Sequence, residues 1–126
     1  MKISKRAQYG LRAMVYMAKN KGNIIPLKKT SEAEAIPFNF LEKIVGQLEK
    51  AGLVNSKKGV QGGYVLAKKS NKINVDEIVR ALESTTAVDC SFCRKSKKCL
   101  TKNVWRKIEE TVDKTLKSIT LADLIK

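Results

Sequence analysis

The chain has 126 residues, enough for one domain with a sizeable core. It carries 26 Lys and Arg against 12 Asp and Glu, for a formal net charge of +14, and no histidine, which excludes histidine catalysis and any histidine-containing metal site. No stretch is apolar enough to span a membrane, and Arg6, Gln8 and Arg12 interrupt any signal-peptide core, so a cytoplasmic protein is expected.

In chain order, Ser4 is placed to cap a first helix running to about Asn20. Its apolar set is Leu11, Met14, Val15 and Ala18, with Ala7, Ala13 and Met17 on other faces, which predicts burial on more than one side. Gly22-Asn23 stops it, and Ile25-Pro26 leads into a short helix over residues 27–35. Ile36-Pro37 opens another helix, because proline is tolerated in a first turn. This helix runs to Ala51 and ends on Gly52; Leu41, Ile44, Val45 and Leu48 form its apolar stripe, opposite Asn39, Glu42 and Lys43.

Residues 53–57 and 64–67 read as strands around the turn Lys58-Gly59-Val60-Gln61-Gly62-Gly63, a β-hairpin. Asn74-Val75-Asp76-Glu77 is a capping-box pattern opening a helix with Val75, Ile78, Val79 and Leu82 on one face. Residues 84–98 read as a loop. Residues 101–119 read as a long helix with Val104, Ile108, Val112, Leu116 and Ile119 in line, and Thr120 to Asp123 cap a last short turn.

Charge is uneven along this order: residues 1–72 hold 15 basic and 4 acidic side chains, residues 73–126 hold 11 and 8. A basic front half points to a polyanion-binding end joined to something else, against the plainer reading of a lysine-rich solvated surface. The element order decides between them. Short helix, brief turn, helix with a polar leading face, then a glycine-rich hairpin is the order of a winged helix-turn-helix. The major groove of B-form DNA admits one helix, whose N-terminal residues reach base edges. Asn39 suits adenine, Glu42 suits cytosine N4, and Lys43 suits guanine or a phosphate. Lys57 and Lys58 supply phosphate or minor-groove contacts, and the glycines let the hairpin tip lie near the sugar-phosphate wall. The expected DNA-contacting set is Lys28, Thr30, Pro37, Asn39, Glu42, Lys43, Lys57, Lys58, Gln61, Gly62 and Tyr64.

Residues 5–18 (KRAQYGLRAMVYMA), 36–44 (IPFNFLEKI), Leu48, Gly52-Leu53-Val54 and 58–67 (KGVQGGYVLA) resemble the Rrf-two family of bacterial transcriptional regulators. The likeness continues through residues 73–82 and Cys99-Leu100-Thr101 to Trp105, so it spans nearly the whole chain. The resemblance implies a mainly α fold with a small β-hairpin, and a homodimer formed through the helix at 101–119 that binds a pseudo-palindromic operator. The organisation expected is a DNA-binding domain at 1–83, a cysteine-containing sensor loop at 84–100, and a dimerisation helix with its C-terminal turn at 101–126.

Cys90-x2-Cys93-x5-Cys99 places three thiols within ten residues, beside Asp89, Arg94, Lys95, Lys97 and Lys98. Thiolates suit iron–sulfur clusters and zinc, and nearby cations lower thiol pKa. Four readings follow from the residues: an iron–sulfur cluster, a Cys90/Cys93 dithiol switch, structural zinc, or free thiols. The resemblance is to the family's iron–sulfur-binding (IscR-like) branch, which implies a cluster on Cys90, Cys93 and Cys99, [2Fe–2S] before [4Fe–4S]. Two departures stand out. Cys90 lies closer to Cys93 than that branch has it, and Lys102 stands where a histidine is expected. Gln8, with no carboxylate, stands where some relatives take a carboxylate ligand from the partner subunit, which leaves Asp89, Asn103, a small thiol or an open iron position as the fourth site. No nucleophile–base pair or phosphate-binding loop points to an enzyme. The alternatives are a cluster-free regulator of the same family and a small iron–sulfur or redox carrier.

Overall fold

A computed structural model describes residues 3–20, 23–58, 62–83 and 100–126. The three cysteines and the wing tip at 59–61, including Gln61, lie outside the described residues. Helix α1 covers Lys5–Lys19, α2 Leu27–Glu34 and α3 Phe38–Lys50; the antiparallel strands β1 Val54–Lys57 and β2 Gly63–Leu66 follow, then α4 Val75–Leu82, α5 Lys102–Lys117 and α6 Leu121–Leu124.

The helix ends follow from their capping chemistry. Ser4 Oγ accepts the Ala7 N–H at the start of α1, and Asn74 Oδ1 accepts the Glu77 N–H at the start of α4. Gly52 ends α3 at φ 79°, with Gly52 N donating to Glu49 O and Leu53 N to Leu48 O, the paired bonds of a Schellman stop. That stop moves Leu53, expected in the first strand, into the helix terminus, and β1 begins one residue later at Val54. Thr120 and Asp123 form a reciprocal capping box on α6, and the hydrogen bonds from the Thr120 backbone and then its hydroxyl hold the Asp123 carboxyl below its ordinary range.

The core is built from Ala7, Ala13, Met14, Met17 and Ala18 of α1, Leu41, Ile44, Val45 and Leu48 of α3, Ile73, Ile78, Leu82 and Leu121. Leu11 and Val15 are only half-buried, so the inner face of α1 is set by its small residues rather than by the leucine–valine line. Gly10 shows why: a Cβ there would stand 2.1 Å from Leu82 Cδ1, so α1 and α4 cross at a glycine. Val79, also expected on the inner face of α4, is half-buried.

Helix α5 differs from the others in having no buried residue. It ends at Lys117, and the chain returns at once to the core. Val75 N donates to Ile119 O, Leu121 N donates to Ile73 O, and Leu121 is fully buried. Arg80 ties α4 to α5 at Asp113: its Nε lies 2.8 Å from Asp76 Oδ2 on its own helix and its Nη2 2.9 Å from Asp113 Oδ2.

Candidate nucleic-acid interface

Helices α2 and α3 are joined by Ala35, Ile36 and Pro37. Ala35 adopts the left-handed conformation (φ 53°, ψ 46°), and the Ala35 and Ile36 N–H groups both donate to Ser31 O. Ile36 is buried, and the Ser31 hydroxyl donates to the Ile36 carbonyl. These bonds fix the turn and hence the angle at which α3 leaves α2. On the other side, Tyr9 of α1 meets Phe40 edge-on, with ring centroids 5.6 Å apart, and Arg12 reaches the Glu34 carbonyl and carboxylate.

With Leu41, Ile44, Val45 and Leu48 buried, α3 turns Asn39, Glu42, Lys43, Glu49 and Lys50 to solvent. Pro37 is exposed and has no hydroxyl or carboxylate to cap the helix, and Pro26 does the same for α2. Both helix N-termini therefore lack the side-chain cap that would occupy their first N–H groups, which suits them to phosphate oxygens. Lys28 and Lys29 are exposed on the first turn of α2.

Thr30 is a correction. It was expected to contact DNA, but it faces inward with 0% exposure, and its hydroxyl has no hydrogen-bond partner among the described residues. In α2 the position one turn after Pro26 must pack against α1 and α3, so Thr30 belongs to the core.

The wing is a register of Val54 with Leu66, Asn55 with Val65, Ser56 with Tyr64 and Lys57 with Gly63. Ile25 extends it by one bridge: Ile25 N donates to Tyr64 O at 3.1 Å and Tyr64 N to Ile25 O at 2.9 Å. A Cβ on Gly63 would stand 2.3 Å from Ile25 O, so this glycine serves the close approach of two backbones within the fold. Gly62 is half-buried, and Lys57 and Lys58 are exposed at the open end of the hairpin. Glu49 Oε2 accepts the Ser56 N–H at 3.1 Å and so joins α3 to β1. Tyr64 is half-buried against the core; burial, then Glu49 and Glu42, push its phenol above its ordinary pKa, so it stays a neutral hydroxyl.

The structure thus brings Lys28, Pro37, Asn39, Glu42, Lys43, Lys57, Lys58, Gly62 and Tyr64 to α2, α3 and the wing that follows them. It adds Phe38, which the sequence reading missed. Its ring is 43% exposed at the first residue of α3. It lies three residues before Leu41, a spacing that continues the buried stripe and so hid it.

No group of three or more His, Cys, Asp or Glu able to hold a metal occurs among the described residues. Gln8 is exposed, and its amide donates to Ile3 O at 2.9 Å. Lys102 is exposed at the start of α5.

Residues 3–126 match the Rrf2 family, described as an iron-dependent transcriptional regulator. The HTH-type transcriptional regulator IscR of Klebsiella pneumoniae is 35% identical over 130 residues, 99% of this chain and 80% of that protein. Among solved structures, IscR of T. potens superposes with a TM-score of 0.84 at 36% identity, over 99% of this chain and 86% of that one. CymR, the global cysteine regulator of B. subtilis, gives a TM-score of 0.83 at 34% identity, over 99% and 96%.

Proposed function

The chain belongs to the Rrf2 family of DNA-binding transcriptional regulators, and on that premise we propose that it acts in the cytoplasm as a homodimer on a pseudo-palindromic operator, its affinity set by chemistry at Cys90, Cys93 and Cys99. The observation that carries the DNA reading is the polar face of α3 set beside a wing that ends in Lys57 and Lys58, with the turn before α3 fixed by hydrogen bonds. Lys28, Lys57 and Lys58 supply phosphate contacts, which give affinity and salt dependence. Asn39, Glu42 and Lys43, presented from the leading turns of α3, supply base contacts, which give sequence preference.

Dimerisation is supported by α5, which buries no residue and leaves Val104, Trp105 and Ile108 exposed among the described residues. Two recognition helices must sit about 34–36 Å apart to enter successive major grooves. The angle of α5 against α4 sets that spacing.

The donor chemistry of the loop before α5 fits an iron–sulfur cluster: three thiols flanked by Arg94, Lys95, Lys97 and Lys98, whose charges offset a thiolate-ligated centre. The family's description as iron-dependent favours this reading. A bound cluster supplies sensitivity to iron and oxidants. The likeness to CymR, named a cysteine regulator, favours a second reading in which the same thiols act without a metal.

Two measurements test the proposal. Anaerobic purification with iron and sulfide analysis gives a coloured, iron-containing dimer if a cluster is bound; colourless, iron-free protein leaves the thiol reading. In binding assays, replacing Lys57 and Lys58 by alanine weakens specific and random duplexes alike and flattens the log–log salt dependence by about 4 for the dimer, which loses two phosphate contacts per protomer. Glu42→Ala mainly relaxes base preference, by about 1–3 kcal/mol at one position. Equal effects of both sets on both duplexes contradict the assignment.

A further inference from the structure

Glycine is a much poorer helix former than alanine, so an interior helical glycine calls for a reason. Gly10 has one in Leu82, Gly52 in its positive φ, and Gly63 in the Ile25 carbonyl. Gly46, in the third turn of α3, has none: a Cβ there meets nothing within 4 Å. Its four neighbours on the helix surface, Glu42, Lys43, Glu49 and Lys50, are all exposed. Gly46 is therefore the floor of a notch at the middle of the exposed face. Lys43 and Lys50 flank one side, and Glu42 and Glu49 flank the side toward the wing.

We propose that Gly46 is the point at which the backbone of α3 comes closest to DNA, the missing side chain allowing the helix to seat more deeply in the major groove. The inference rests on the DNA-binding reading above and adds a position to it. The groove is about 12 Å wide and a helix with its side chains is about 10–12 Å across, so the thickness of one side chain decides how deep the helix sits. The flanking charges agree with this pose. Lys43 and Lys50, two helical turns apart on one side, face one phosphate wall together. Glu49 does not oppose the other wall freely, because its carboxylate is held by the Ser56 N–H. A second copy of the chain is a poorer occupant, since the notch is ringed by four charged side chains, Glu42, Lys43, Glu49 and Lys50.

The test uses the full chain and a duplex enriched by the wild-type protein from a random-sequence pool, with an unselected duplex for comparison. Gly46→Ala raises Tm by about 3–5 °C, because alanine is the better helix former and has room. The same variant binds the selected duplex about tenfold more weakly, and Gly46→Leu more weakly still. The slope of log affinity against log salt stays unchanged, because no cation is lost. Wild-type affinity in both variants, a lower Tm for Gly46→Ala, or a changed oligomeric state in place of a changed affinity overturns the inference while leaving the DNA reading intact. Failure of the wild-type protein to enrich any duplex overturns both.

Discussion

Single residues in this chain carry two different messages that look alike in the sequence. Thr30 and Asn39 are both small polar residues near the start of a helix in a basic region. Asn39 is exposed, whereas Thr30 is wholly buried with an unpartnered hydroxyl. A buried hydroxyl without a partner costs about 1–3 kcal/mol. Thr30→Val, similar in shape and also β-branched, is expected to raise stability by about 1 kcal/mol in urea denaturation and to leave DNA affinity unchanged. Loss of affinity in a stable Thr30→Val protein would return Thr30 to the interface. The eight-residue helix α2 has too few apolar residues for its stripe to reveal which side of Thr30 faces in, so its burial was not legible in advance. The stripe of α3, by contrast, reads directly from Leu41, Ile44, Val45 and Leu48, all four fully buried. Phe38 escaped for the opposite reason, lying in phase with the buried stripe yet exposed at the helix's first residue.

At the scale of elements, capping chemistry proved the most legible signal. Ser4, Gly52, Asn74 and Thr120 each end or begin a helix where the sequence places them. Contacts between elements were not legible, because they join residues far apart in the chain. Ile25 to Tyr64 and Arg80 to Asp113 are of this kind. The last has functional weight. Asp76 is only 4% exposed, and one of its carboxylate oxygens has no partner among the described residues, while the other holds Arg80 in place to reach Asp113 on α5. An incompletely paired buried carboxylate is poor evidence of stabilisation, but it fixes geometry. Arg80→Met strands Asp76 and frees α5, so its Tm falls below that of Asp113→Asn, which loses only the outer bond. Both variants lower operator affinity by about three- to tenfold without changing the preferred sequence, as expected of residues that set the angle of α5 rather than touch bases. A change in preferred sequence would instead assign Arg80 to the α3 surface.

For the whole molecule, the decisive feature is an arm. Every other long helix places residues in the core, whereas α5 is held by Arg80 and by the return of Ile119 and Leu121 at its C-terminal end. Val104 is 50% exposed, Trp105 38% and Ile108 37%, and they lie on one side of the arm's N-terminal half. An apolar strip of this kind, exposed along one helix among the described residues, calls for a second copy to cover it. Trp105 is the chain's single tryptophan, so the strip carries its own reporter. If two α5 helices pack together, Trp105 emits at short wavelength at micromolar concentration and shifts to the red on dilution as the dimer separates. Ile108→Asp places a charge in the centre of the strip, and burying it unpaired costs several kcal/mol, more than most dimers of this size tolerate. That variant is expected to sediment as a monomer and to emit at long wavelength at every concentration, while its far-UV spectrum stays helical. Its operator affinity falls by a factor of about 100 or more, because one recognition helix must then bind without the second. A monomeric Ile108→Asp protein with wild-type operator affinity would show that a single winged helix-turn-helix suffices, and α5 would need another partner to explain its bare face.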